Sequence, residues 1–325
     1  MTKTDILMTG PMLPSVIESL DRAFTLHRLW EQPDRAAYLA KIGPRIRGLA
    51  TSTMTGRADA ALIGQLPNLE IISSFGVGYD NVDVSEAAKR NIVVTNTPDV
   101  LNEEVADLTI GLLLATLRQV PQADRYLRAG RWLKAPFPLS PTLRGRKVGI
   151  VGLGRIGKAI AKRLEGFDVA LAYHGRTHQK DVPYAFHPSL VGLAEDSDVL
   201  IIITPGGSST KHLINADVLK ALGSHGVLIN VARGSVVDQQ ALIAALRDGT
   251  ILSAGLDVFD DEPRVPQELI DMEHVVLLPH VASGSVHTRK AMGQLVVDNL
   301  ISWFSGKGPL TAVPETPWPR SPKDS

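Results

Sequence analysis

Residues 147–177, KVGIVGLGRIGKAIAKRLEGFDVALAYHGRT, constrain the fold more than any other stretch of the chain. The apolar run 148–151 is short and β-rich, as a buried parallel strand requires. Gly152, Gly154 and Gly157 follow at once. A helical pattern runs through Ile156, Ala159, Ile160, Ala161 and Leu164 and stops at Gly166. A second apolar run, 169–173, is the next strand. Strand, glycine turn, helix and strand within one short unit are what dinucleotide binding needs. Gly152 permits the tight turn, Gly154 lets a pyrophosphate approach the backbone, and Gly157 lets helix and strand pack closely. The helix N-terminus then offers N–H groups and a partial positive charge to the phosphates.

The end of the second strand bears on which dinucleotide is bound. An NAD site usually carries an acidic residue there for the ribose 2′-hydroxyl. Here the strand ends in His174, Gly175, Arg176 and Thr177, with no carboxylate. A guanidinium beside a hydroxyl suits a 2′-phosphate. The expectation is NADP(H) in preference to NAD(H), with NAD(H) still admissible. A solvated loop cation at Arg176 is the alternative. His174 is a candidate for the adenosine side and has no catalytic part.

With 325 residues and 44% apolar content, the chain can fill two domains. Lysine plus arginine balances aspartate plus glutamate at 34 each, which gives no electrostatic footprint for nucleic acid. Cysteine is absent, so there is neither a disulfide nor a thiol nucleophile. The apolar runs are too short or too charged to span a bilayer, and the first ten residues lack a signal-peptide core. A soluble cytoplasmic protein is expected. His178, His187, His212, His225 and His274 show no metal-ligand spacing, so no metal site is expected.

Before the glycine turn, apolar runs at 6–8, 24–29, 46–50, 69–74 and 92–94 read as strands, with helices at 14–23 and 33–43 between them. This alternation predicts a parallel sheet with its own core and no phosphate fingerprint. The strand 69–74 runs into the loop Phe75-Gly76-Val77-Gly78-Tyr79-Asp80. Ligands in such sheets sit beyond the carboxyl ends of strands, and a loop with two glycines can turn N–H groups towards an anion. Val77 and Gly78 are therefore candidates for a substrate carboxylate; a plain tight turn is the alternative. Met54 is either a lining residue of the substrate pocket or a core methionine. A helix from Asn102 to Leu117 could lead from one domain to the other. Trp132, in the proline-rich segment 130–141, is either a dimer anchor or part of a loop packed on its own domain.

After residue 173 the alternation continues, with strands at 198–203, 227–231, 254–258 and 275–278 and helices at 238–248 and 286–304. The class is α/β, with two Rossmann-like, doubly wound parallel sheets. The proline-rich tail reads as loosely held. Three of these later strands lead to Arg233, Glu262 and His280. Parallel strands place their carboxyl ends on one edge, so the three side chains can converge. Each suits the reduction of a 2-keto acid. Arginine pairs with a carboxylate and polarises the carbonyl, histidine gives a proton to the oxygen as hydride arrives, and a carboxylate holds the imidazole. Taken singly, each has a bland reading: a solvated arginine, a turn glutamate, a satisfied core histidine.

The chain resembles the D-2-hydroxyacid dehydrogenase family. The motifs that carry the resemblance are Phe75-Gly76-Val77-Gly78-Tyr79-Asp80, Gly152-Leu153-Gly154-Arg155-Ile156-Gly157, Asn230-Val231-Ala232-Arg233-Gly234, Asp257-Val258-Phe259 through Glu262-Pro263, and Pro279-His280-Val281-Ala282-Ser283. They occur in the family's order over nearly the whole chain. The resemblance implies a catalytic set of Arg233, Glu262 and His280. It implies cofactor contacts along Gly152, Leu153, Gly154, Arg155, Ile156 and Gly157, and at Thr204, Pro205, Val231, Ala232, Asp257 and Ser283. It also implies a discontinuous substrate domain, residues 1–100 and 285–325, a central dinucleotide-binding domain, 101–284, and a homodimer. The branch it resembles most is the NADPH-preferring glyoxylate/hydroxypyruvate and hydroxyphenylpyruvate reductases, on the strength of 174–177. The expected partner is a small 2-keto or 2-hydroxy acid. The rival from another class is a corepressor-like regulatory protein of this fold that binds NAD(P) without significant turnover.

Overall fold

Buried apolar runs become parallel strands, and the two runs of strands make two sheets. The computed structural model describes residues 3–319. Its contacts divide the chain into two units, 1–101 with 285–325, and 102–284.

In the first unit the strands are β1 (Asp5–Met8), β2 (Thr25–Arg28), β3 (Gly48–Ser52), β4 (Ile71–Phe75) and β5 (Val93–Thr95). They are all parallel, in the order β2-β1-β3-β4-β5. One face is covered by a cluster that includes Leu49, Ile63, Leu66 and Ile72. The helices Pro14–Ala23 and Val286–Phe304 pack on each other, and the longer one also packs on β4. Ser285 caps this longer helix by accepting from the Thr288 N–H.

The tail departs from expectation as far as it is described. Thr95 bridges Ala312, the Val94 N–H donates to Thr316 Oγ1 at 2.9 Å, and Val313 is 1% exposed. These bonds satisfy the outer side of the edge strand β5, which hydropathy cannot reveal. Residues 320–325 of the tail lie outside the described residues.

The second unit contains β6 (Lys147–Val151), β7 (Ala170–His174), β8 (Ala185–Phe186), β9 (Val199–Ile202), β10 (Val227–Asn230), β11 (Ser253–Leu256) and β12 (Val276–Leu277). The order is β12-β11-β10-β9-β6-β7-β8, again all parallel. The chain runs outward from β6 through β7 to β8, then crosses back to β9. The topological switch point therefore lies between the carboxyl ends of β6 and β9, where open α/β sheets take their ligands. Hydrophobic clusters cover both faces, one including Leu200, Leu228 and Leu256, the other Ile150, Ile201 and Ile229. The helix Asn102–Leu117 belongs wholly to this unit, packed on the helix Arg155–Leu164 and on β11. The strand β8 and the helix Leu190–Glu195 were not foreseen in the sequence. Among the described residues, no helix is long and apolar enough to cross a membrane.

Candidate active site

The glycine turn leaves β6 at the switch point, and each glycine is there for a different physical reason. Gly152 has a φ of 99°, a conformation that L side chains rarely adopt. At Gly157 a Cβ would stand 2.2 Å from the Gly152 carbonyl oxygen, so the helix can lie against the turn only without a side chain there. A Cβ at Gly154 would meet nothing within 4 Å, which leaves room for a ligand to approach the backbone. Gly154 is also the N-cap of the helix Arg155–Leu164 and provides no capping side chain. Across the switch point, Thr204 follows β9 with its Oγ1 buried and without a hydrogen-bond partner. A buried hydroxyl in that state is costly unless a ligand completes it. The turn, the uncapped helix end and this hydroxyl together fit a dinucleotide.

The loop after β7 is fastened to the same turn. Gln179 donates through Nε2 to the Leu153 carbonyl at 2.7 Å, and its N–H donates to the buried Tyr173 hydroxyl at 2.7 Å. Arg176 and Thr177 are exposed between these anchors. His174 turns Nδ1 to the His187 carbonyl at 2.9 Å. Gln179 escaped sequence reasoning because its role depends on contact with a turn twenty-six residues away. Leu153, Val231 and Ala232 are buried in the hydrophobic clusters, so any cofactor contact from them falls to the backbone.

The strands β10, β11 and β12 are neighbours, and their carboxyl-end loops carry Arg233, Glu262 and His280. Asn230 braces the first loop, accepting from the Ala232 N–H and donating to the Arg233 carbonyl, both at 3.0 Å. Gly234 joins the first loop to the second. A Cβ there would lie 1.9 Å from the Phe259 carbonyl carbon, so the backbones touch. Glu262 accepts from the Phe259 N–H through Oε1 at 3.0 Å, and its Oε2 lies 2.6 Å from His280 Nδ1. Burial works to raise the Glu262 pKa, but the hydrogen bond and charge of His280, the Phe259 N–H and the Arg233 guanidinium outweigh it. The group is held below the usual carboxylate range. A carboxylate can only accept, so the Nδ1 proton faces Glu262 and Nε2 is left for other work.

His280 itself sits at a φ of 54°, uncommon for a non-glycine residue. Asp257 holds it there. The His280 N–H donates to the Asp257 carbonyl at 2.9 Å. The Asp257 side chain accepts from the Val281 N–H at 2.7 Å and the Ala282 N–H at 2.8 Å. Asp257 is fully buried, and burial pushes its pKa up against the pull of those two donors. Ser283, next along the turn, is partly exposed. The structure thus gathers Arg233, Glu262 and His280 on one edge and gives Asp257 a structural duty unseen in the sequence.

In the first unit, Gly76 has a φ of 145°, and the Asn96 side chain donates to the Val77 carbonyl at 2.8 Å. Among the described residues, neither the Val77 nor the Gly78 N–H has an acceptor. Met54 is 53% exposed, which removes the core reading. The segment 130–141 folds back on its own unit: the Tyr126 hydroxyl donates to the Ala135 carbonyl at 3.0 Å, and Tyr126 meets Phe137 edge-on. Trp132 nevertheless remains 65% exposed. Among the described residues, no group of three or more histidines and carboxylates could hold a metal ion.

Known proteins resemble this chain over nearly its whole length. The model of the D-isomer specific 2-hydroxyacid dehydrogenase NAD-binding domain matches residues 110–282. Glyoxylate/hydroxypyruvate reductase A of Arabidopsis thaliana is 49% identical over 313 residues, 96% of this chain and 100% of the relative. Hydroxyphenylpyruvate reductase of Plectranthus scutellarioides is 48% identical, over 95% and 98% of the two chains. The crystal structure of an NADPH-dependent glyoxylate/hydroxypyruvate reductase from Sinorhizobium meliloti, in complex with NADP and malonate, superposes with a TM-score of 0.93. It is 55% identical and the match covers 98% and 99% of the two chains.

Proposed function

The chain belongs to the D-isomer specific 2-hydroxyacid dehydrogenase family, and from that premise we propose that it reduces a small 2-keto acid of the glyoxylate/hydroxypyruvate type to the D-2-hydroxy acid, with NADPH preferred. The observation that carries the proposal is the 2.6 Å contact between His280 Nδ1 and Glu262 Oε2, on a loop edge shared with Arg233. When bound, the dihydronicotinamide supplies the hydride.

The protein's own groups do the rest. Arg233 pairs with the substrate carboxylate and polarises the adjacent carbonyl. The Val77 and Gly78 N–H groups are proposed as donors to a substrate carboxylate. His280 delivers a proton from Nε2 to the carbonyl oxygen as negative charge develops there. Glu262 keeps the ring oriented through its contact with Nδ1. Asp257 fixes the backbone from which the ring projects. The glycine turn and Thr204 would hold the dinucleotide, and Arg176 with Thr177 would meet the 2′-phosphate. The missing acidic residue after β7 supports NADPH, as does the NADP bound by the Sinorhizobium meliloti neighbour.

The same proposal includes a homodimer formed through the segment 130–141, where Leu133 and Leu139 are 94% and 100% exposed; light scattering that finds only monomer would remove it. The activity itself is tested by following NADPH and NADH oxidation with glyoxylate and hydroxypyruvate. Turnover with higher kcat/KM for NADPH is expected. No turnover with either acid would favour a regulatory protein that binds the cofactor without using it.

A further inference from the structure

The loop 175–178 of the second unit is pinned at both ends to consecutive residues of the glycine turn. At its start, the Gly152 N–H donates to the His174 carbonyl at 2.9 Å. At its end, the Leu153 carbonyl accepts from Gln179 Nε2 at 2.7 Å. The first bond continues the parallel pairing of β6 with β7. The second is made by a single side chain.

Gln179 is itself held in place. Its N–H donates to the hydroxyl of Tyr173, a fully buried ring with no room to follow a moving loop. His178, the residue before it, stacks on Phe186 of β8 with 5.2 Å between ring centroids. Asp181, two residues later, accepts from Lys158 Nζ at 2.8 Å, but those side chains are 70% and 41% exposed, and a surface pair of that kind contributes little. The bond to Leu153 is therefore the one that sets the distance between loop and turn.

That distance has a chemical meaning. The pyrophosphate and the 2′-phosphate of NADP hang from one ribose, so their separation is bounded by the ligand. Gly154, where a ligand can approach the backbone, directly follows Leu153. Arg176 and Thr177 are exposed and shortly precede Gln179. A protein that holds both phosphates must keep turn and loop in register. An arginine on a tethered backbone also loses less freedom when it binds.

We infer that Gln179 is a positioning residue for cofactor selection. It acts on the 2′-phosphate through Arg176 and Thr177, by fixing their backbone against the Leu153 carbonyl, and does not touch the phosphate itself. The inference rests on the reading of Arg176 and Thr177 as the 2′-phosphate contacts.

The test is titration of the cofactor-free protein with NADPH and with NADH, followed by fluorescence of the reduced nicotinamide, so it needs no turnover. Gln179→Met keeps an unbranched side chain of similar length and removes the donor. The ratio of the NADPH Kd to the NADH Kd should rise by about threefold or more, as expected for the loss of one hydrogen bond. A defect of the whole fold would weaken the two cofactors alike and leave the ratio as it was. The same substitution in an Arg176→Ala/Thr177→Ala background should leave the ratio within about twofold of that background's own, because residues that act through a shared partner are not additive. A ratio unchanged by Gln179→Met in otherwise wild-type protein would overturn the inference. So would a shift of full size in the double-alanine background, which would put Gln179 on the phosphate itself. Wild-type protein with equal Kd for the two cofactors would instead refute the 2′-phosphate reading beneath it.

Discussion

Gly234→Ala puts the proposed architecture of the site under direct load. The added Cβ would stand 1.9 Å from the Phe259 carbonyl carbon, 2.0 Å from its oxygen and 2.4 Å from the Asp260 N. All three atoms are backbone, so no side chain can swing aside. Ordinary non-bonded carbon contacts lie at about 3.5 Å, so the two loops must part by roughly 1.5 Å. Arg233 precedes the glycine and Glu262 follows Phe259 by three residues. The separation is therefore imposed between the proposed substrate-binding arginine and the His280–Glu262 pair. A misplacement of about 1 Å can cost on the order of a hundredfold in rate, and overpacking costs about 1–3 kcal/mol of stability. The variant should stay folded at room temperature, with kcat/KM for hydroxypyruvate down about a hundredfold. Gly111→Ala is the control. Its Cβ meets nothing within 4 Å inside the helix Asn102–Leu117, so it should hold or raise stability. A Gly234→Ala enzyme within about threefold of wild type would refute the claim that loop spacing sets the rate.

Other expectations come from the same coordinates. Asp257→Asn keeps the shape of the side chain but gives up one acceptor, leaving the Val281 N–H or the buried Ala282 N–H unpaired at a cost of up to about 1–3 kcal/mol. The cofactor-free protein should lose roughly 2–12 °C in Tm, and calorimetry that shows no change would mean the clamp is idle. Arg176→Ala should raise the ratio of the NADPH Kd to the NADH Kd by about tenfold or more, as expected for the loss of a charge-assisted bond; fluorescence titration giving an unaltered ratio would identify a solvated loop cation. Because the folded-state pKa of Glu262 is depressed, its contribution to stability is present above the ordinary carboxylate pKa and lost as pH falls through the folded value. The urea midpoints of wild type and Glu262→Gln should therefore converge as pH is lowered from about 6 to about 3, and a gap independent of pH would contradict the assignment.

How much of this was legible in the sequence depends on how local each cause is. Buried parallel strands read as short continuous apolar runs, so β1, β6, β9 and β10 announce themselves. The helices Pro14–Ala23 and Val286–Phe304 are marked at their starts by proline and by Ser285. The glycine turn was legible because its spacing reports a backbone conformation. By contrast, β8 has two residues and the helix Leu190–Glu195 six, too short for a period to stand out. The tail defeated a compositional reading because Thr316 and Val313 act by meeting β5, more than two hundred residues earlier. Within the site, residue types and strand order pointed to Arg233, Glu262 and His280. What braces them was hidden for one reason. The Asn230 bracket, the Gly234 contact and the Asp257 clamp depend on close approach of backbone groups, and nothing in their one-letter context records it.

The proton-transfer claim is reached most directly through His280→Ala, measuring kcat with a 2-keto acid alongside NADPH affinity by titration. A general acid contributes about 10²–10⁴-fold, so kcat should fall by that much while NADPH affinity stays within about threefold of wild type. A variant whose kcat remains near the wild-type value would contradict the account at its centre.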